Sequence, residues 1–120
     1  MINNSISITQ RTEEFTIRII KACVFLDEKP GAARTLGKQL IRSGTSIGTN
    51  VHEAQSAQSS KDFLSKLEIA LKEAREIEYW LKILIKSELA SEARFKPLLE
   101  EISQINRILI ASTRKLKQSS

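Results

Sequence analysis

One cysteine, one histidine, one tryptophan and one tyrosine, with two prolines and four glycines, are the whole supply of these residues in a chain of 120. So few breakers exclude an all-β fold, a collagenous chain and low-complexity disorder, each of which needs many more turn residues. The lone Cys23 cannot close an internal disulfide or build a Cys-based zinc site, so the default compartment is a reducing cytoplasm. No apolar run approaches the ~18 residues of a membrane span, and Met1–Ser7 lacks the basic-then-apolar order of a signal peptide. A soluble, intracellular protein with no membrane association is expected.

The scarcity of histidine also removes most catalytic readings. A di-iron bundle needs histidines on two helices, and His52 stands alone, with its neighbour Glu53 pointing elsewhere. Gly44 and Gly48 have no preceding strand and no following Lys-Ser/Thr, so they do not form a phosphate loop. Glu73 and Glu76 have the spacing to hold a cation through oxygens, but paired helix carboxylates are usually structural. Cys23 sits in the most apolar stretch, where thiols act as inert packing groups. No enzyme, cofactor or metal site is expected.

What remains is 41% hydrophobic and 28% charged, the balance of a helical protein with one core, and the length fits a single domain over residues 1–120. Apolar steps of four and three mark a first helix from about Ser7 to Asp27, with the seam Ile8, Thr12, Phe15, Ile19, Ala22 and Leu26. Lys29-Pro30-Gly31 ends it. A second seam runs through Leu36, Leu40, Gly44, Ile47, Val51 and Ala54. Ser59 and Asp62 have capping-box spacing and open a third helix, Ser60 to about Lys86, on Phe63, Leu67, Ala70, Ala74, Ile77, Leu81 and Leu84. After Ser87-Glu88-Leu89-Ala90 comes a fourth seam, Phe95, Leu98, Ile102, Ile105, Leu109, Ser112 and Leu116, with Pro97 in its first turn or two and a frayed tail from Lys117. Four long helices on short links predict an all-α, antiparallel up-down-up-down four-helix bundle.

These helices have more apolar surface than one bundle can cover. Ile20, Cys23, Val24 and Phe25 spread around the first helix, Leu64, Ile69, Leu71, Trp80 and Ile83 around the third, and Leu99, Ile108 and Ile110 around the fourth. Clustered surplus of this kind predicts a homo-oligomer.

Two polar constellations stand out. Arg42, Ser46, Asn50 and Glu53 share a face of the second helix, and Glu73 and Glu76 lie on one stripe of the third between Ile69 and Trp80. Arg42 and Asn50 are expected to meet Glu73 or Glu76 as a network that fixes register or subunit pairing, the alternative being solvated charges on outward faces. Each helical glycine costs about 1 kcal/mol relative to Ala, so Gly44 and Gly48 call for a close helix approach or a helix irregularity.

Charge forms the second constellation. Residues 1–30 and 59–90 are neutral, so the net charge of +5 arises entirely from residues 31–58 and 91–120. Arg34, Lys38, Arg107, Arg114, Lys115 and Lys117 are therefore the candidate surface for RNA or DNA phosphates. Without interleaved aromatics, contact would follow the backbone rather than the bases. A merely solvated basic face fits the same six residues.

The run from Gln39 to Ala54, with Arg42-Ser43-Gly44-Thr45-Ser46-Ile47-Gly48-Thr49-Asn50 at its centre, resembles the signature of a bacterial four-helix-bundle family, the 23S ribosomal RNA intervening-sequence proteins. Ser60-Lys61-Asp62-Phe63, Ala70 to Glu76 and Tyr79-Trp80-Leu81 extend the resemblance. It implies a small up-down bundle assembling into homopentameric rings, with relatives that serve as nucleic-acid-binding accessory subunits of retroelement reverse transcriptases. It carries no catalytic residues, and Arg42, Ser46, Asn50, Glu53, Glu73, Glu76 and Trp80 transfer only as motif positions. The expected function is thus a non-enzymatic oligomeric protein that binds RNA or DNA through a basic surface, with or without a protein partner. The alternative is an interaction adaptor whose charge only aids solubility.

Overall fold

A computed structural model describes residues 7–119 and is helical through four long elements. They are α1 (Ile8–Asp27), α2 (Ala32–Ala54), α3 (Ser60–Lys86) and α4 (Glu92–Ser119). Met1 to Ile6, most of the stretch read for a signal peptide, lie outside the described residues, as does Ser120. Among the described residues no helix is long and apolar enough to cross a membrane.

The ends of these helices follow from local chemistry. The Ser7 hydroxyl accepts from the Gln10 amide, and the Ser59 hydroxyl accepts from the Asp62 amide at 3.0 Å. Asp62 in turn accepts from the Gln58 amide, so the box closes one residue earlier than its usual form. Gly31 starts α2 with a φ of 75°, a conformation that favours glycine after the Pro30 break. Pro97 falls in the second turn of α4, where its amide would have bonded to Ala93; that residue is exposed, which leaves its carbonyl to water. Residues 117–119 continue α4 rather than fraying, because Lys117 is tied to Glu68 of α3 at 2.7 Å.

Successive helices pack side by side and run in opposite directions. Gly37 of α2 faces Leu26 of α1, while Gly48 faces Thr16 and Thr12. Arg42 meets Glu76 and Glu53 meets Lys66 across α2 and α3, and Asn106 meets Glu78 while Lys117 meets Glu68 across α3 and α4. The circle closes more thinly between α4 and α1, through Phe95 on Phe25 and a two-pronged Arg11–Glu101 pair. That pair raises the Arg11 pKa, chiefly through its hydrogen bond to Glu101.

Phe15, Ile19, Leu26, Leu40, Ile47, Ile77, Leu81, Leu84, Phe95, Ile102, Ile105 and Leu109 fill the core. The α1 and α3 seams hold apart from their first residues, Ile8 and Phe63, which are half-buried. On α2 the small Ala33 and Gly37 take the buried positions expected for Leu36, and on α4 Thr113 replaces Ser112 and Leu116. Cys23 belongs to the core rather than to the apolar surplus; its thiol donates to the Gly37 carbonyl, and burial pushes its pKa up to about 11. Of the surplus expected, Ile20, Val24 and Ile69 are exposed, joined by Ile17, Ile41 and Tyr79.

The helical glycines permit the close approach of α1 and α2. A Cβ on Gly44 would stand 2.6 Å from Ile19 Cγ2, and one on Gly48 2.6 Å from Thr16 Oγ1. Ile19 is fully buried and β-branched, so it has no rotamer to retreat into. Gly44→Ala is therefore expected to destabilise the protein by about 1–2 kcal/mol, the overpacking cost less the gain in helix propensity. This should appear as a fall in Tm of about 4–8 °C in a circular dichroism melt.

Candidate nucleic-acid interface

The α2–α3 contact uses its charge internally. Arg42 Nη2 donates to Glu76 Oε2 at 2.9 Å, and the buried Ser43 hydroxyl donates to the same oxygen at 2.9 Å. Arg42 Nη1 lies 3.9 Å from Glu73 Oε1, a buried oxygen with no hydrogen bond of its own among the described residues. Asn50 does not reach these carboxylates. Its amide donates instead to the Ser46 carbonyl and hydroxyl one turn back, because a partner on its own helix is closer than one on α3. Glu53 reaches α3 separately, 3.8 Å from Lys66. Ser43 escaped the sequence reading, although it adjoins Gly44 in the interval between Leu40 and Ile47, where a polar side chain would be turned inward.

A second buried polar contact joins α3 to α4. Asn106 Nδ2 donates to Glu78 Oε1 at 2.7 Å and to the Ala74 carbonyl, and its own Oδ1 has no partner among the described residues. Sequence reading missed this residue too; its signal was a place beside Ile105 on the seam.

Alongside that contact runs a groove of about 660 Å³ between α3 and α4. Lys72 and Arg75 line it from α3, and Arg114 and Lys117 from α4, above half-buried Leu71 and Ile110. Its one carboxylate, Glu68, already faces Lys117 at 2.7 Å. Lys72, Arg75 and Arg114 are exposed and make no ion pair among the described residues. Four cations against one carboxylate, with helical backbones on both sides, form an electropositive trough suited to a polyanion's phosphates.

The six cations expected to form one surface are divided. Arg114 and Lys117 line the groove, Lys115 follows Arg114 on α4, and Arg107 stands two turns earlier on nearly the same face as Arg114. Arg34 and Lys38 lie near the start of α2, about 24–30 Å along the helix from its C-terminal end at Ala54. There Arg34 Nε donates to the Asp27 carbonyl and closes the α1–α2 turn. Lys72 and Arg75 were missed because residues 59–90 are neutral when charges are counted along the chain. The α3 carboxylates Glu73 and Glu76 turn towards α2, while these two cations turn towards α4.

His52 is exposed, and among the described residues no cluster of three His, Cys, Asp or Glu side chains could hold a metal ion. The fold and the groove together define a class: a small four-helix protein with a polar tie between α2 and α3 and a basic trough between α3 and α4. Within it, the chain belongs to the 23S rRNA-intervening sequence protein family, whose profile matches residues 4–111. It is also similar to a crystal structure from Bacteroides thetaiotaomicron VPI-5482, described as a protein of unknown function from the S23 ribosomal protein family. The two share 39% identity at a TM-score of 0.82, over 89% of this chain and 98% of that one. No curated protein matches the chain.

Breaking the α2–α3 tie tests its role. Arg42→Met leaves Glu73 and Glu76 with reduced compensation, but Arg42 is more than half exposed, so solvent screens much of the loss. The expected destabilisation is about 1 kcal/mol, and a double-mutant cycle with Glu76→Gln in urea melts should show a coupling of about half that or more.

Proposed function

We propose that this chain is a non-enzymatic, self-assembling helical bundle that holds RNA or DNA by the backbone along the α3–α4 groove. The observation that carries this reading is the convergence of Lys72, Arg75 and Arg114, none of them ion-paired among the described residues, beside a carboxylate already engaged by Lys117. Arg107 and Lys115 extend the positive face along α4. The groove's lining has no aromatic residue to stack a base, so recognition follows phosphate spacing rather than sequence.

Fluorescence anisotropy with unrelated single-stranded RNA 20-mers tests the reading. Three phosphate contacts give a log–log salt slope of about −2, so affinity should fall roughly 20-fold between 50 and 200 mM salt. Lys72→Gln/Arg75→Gln/Arg114→Gln should remove most of that slope, while Arg34→Gln/Lys38→Gln should leave it unchanged. Salt-independent binding, or binding unaltered in the triple variant, would overturn the proposal.

Self-assembly is supported by the exposed Ile17, Ile20, Val24 and Ile41 on α1 and α2 and by Ile69 and Tyr79 on α3. Two separate apolar patches suit a head-to-tail ring, the arrangement that the family resemblance implies with five copies. Light scattering at micromolar concentration should then give five times 13.5 kDa, and a mass of 13.5 kDa would exclude assembly. The same patches favour a second reading, an adaptor that captures a protein without nucleic acid. That reading gains if polyanions bind at no salt concentration.

A further inference from the structure

The thin seam between α1 and α4 holds a second concentration of positive charge, which nothing in the basic-face reading uses. Arg11, Arg18, Lys21 and Arg94 all border it. Both oxygens of Glu101 are engaged by Arg11, at 2.7 and 3.0 Å. Further along lies a recess of about 210 Å³ lined by Arg18, Lys21, Ala22, Arg94 and Leu98: three cations, two apolar side chains and no carboxylate. None of the three cations makes an ion pair among the described residues.

Arg94 is held in place before any ligand arrives. Its guanidinium carbon lies 3.9 Å from the centroid of the Phe25 ring, which also packs against buried Phe95. Stacking occupies the face of the guanidinium and leaves its in-plane N–H groups free to form the fork that suits a tetrahedral oxyanion. The Arg94 amide donates to the Ser91 hydroxyl, so the residue sits in the first turn of α4, where the helix dipole adds positive potential. Lys29 stands over the same Phe25 ring at 4.7 Å and brings a fourth cation nearby.

We propose that this recess binds one phosphomonoester group. At 210 Å³ it is smaller than the roughly 300–1,000 Å³ of a drug-sized site. It has room for one tetrahedral anion and a few waters at ~30 Å³ each. A terminal phosphate carries about −1.5 to −2 at pH 7 and matches three converging cations better than a backbone diester with a single charge. The phosphate comes from the end of a nucleic-acid strand or from a small phosphorylated molecule. The strand-end source rests on the nucleic-acid reading above; the recess itself does not.

Inorganic phosphate, titrated calorimetrically into the full chain at constant ionic strength, tests the site. Saturable binding of one phosphate per chain is expected. It should weaken about tenfold or more in Arg18→Gln/Lys21→Gln and remain in Lys72→Gln/Arg75→Gln. Arg18 and Lys21 make no ion pair within the described chain, so their replacement should leave the thermal melt unchanged. A 5′-phosphorylated RNA 12-mer, labelled at its 3′ end, should bind about fivefold or more tighter than its 5′-hydroxyl twin, an advantage lost in Arg18→Gln/Lys21→Gln. Phosphate binding without that advantage supports the site and assigns it to a small phosphorylated ligand. Phosphate binding with no affinity for the 5′-hydroxyl 12-mer sinks the backbone reading and leaves the recess standing. No saturable phosphate binding, or binding undiminished in Arg18→Gln/Lys21→Gln, overturns the proposal.

Discussion

The contact between α1 and α2 determines where everything else lies. Gly37, Gly44 and Gly48 remove side-chain bulk along one face of α2, and Leu26, Ile19 and Thr16 of α1 come down onto that face. Thr16 adds a hydroxyl that bonds to the Thr12 carbonyl and lies 3.5 Å from the Gly44 carbonyl. With α2 seated so closely, its neighbouring face carries Arg42 and Ser43 to Glu76. That tie places α3, and α3 then turns Lys72 and Arg75 towards α4. The glycines thus lower helix propensity locally and gain packing that sets the rotation of the next helix.

A division of charge by face runs through the bundle. Glu73, Glu76, Glu78 and Glu101 are half-buried between helices, each close to a polar or cationic partner. Many of the cations remain on the outside. A net charge of +5 on 120 residues is modest as an average, yet it becomes locally strong where inward-facing carboxylates leave outward-facing Lys and Arg uncompensated. The α3–α4 groove and the α1–α4 recess both arise in this way.

Much of the fold was legible from the chain, because its punctuation is chemical: Pro30-Gly31 and the Ser59/Asp62 box mark boundaries, and the α1 and α3 seams keep strict helical spacing. The α2 seam was harder to read. Looking for large apolar residues favours Leu36, whereas a close helix pair buries Ala33 and Gly37. On α4 the drift between a 3.5-residue stripe and a 3.6-residue helix moves burial from Ser112 to Thr113 and brings Asn106 inward. The Arg42–Glu76 pair could be foreseen from shared faces, but Asn50 could not be separated from it, since spacing does not say whether an amide bonds across helices or along its own. Basic residues at both ends of the molecule looked like one surface because charge was summed along segments. Lys72, Arg75, Arg18 and Lys21 stayed hidden in segments of zero net charge for the same reason.

The uneven closure of the circle also has a mechanical side. Close packing at the α2 glycines joins α1 and α2 into one stiff half, whereas a tilted Phe25–Phe95 contact, the Arg94 guanidinium on the Phe25 ring and the Arg11–Glu101 pair latch that half to α4. Strain applied to the bundle would therefore concentrate at this latch, swinging the halves about the α2–α3 tie like leaves on a spine. An anion bridging Arg18 and Lys21 of one leaf to Arg94 of the other would act as a clasp, converting ligand occupancy into rigidity.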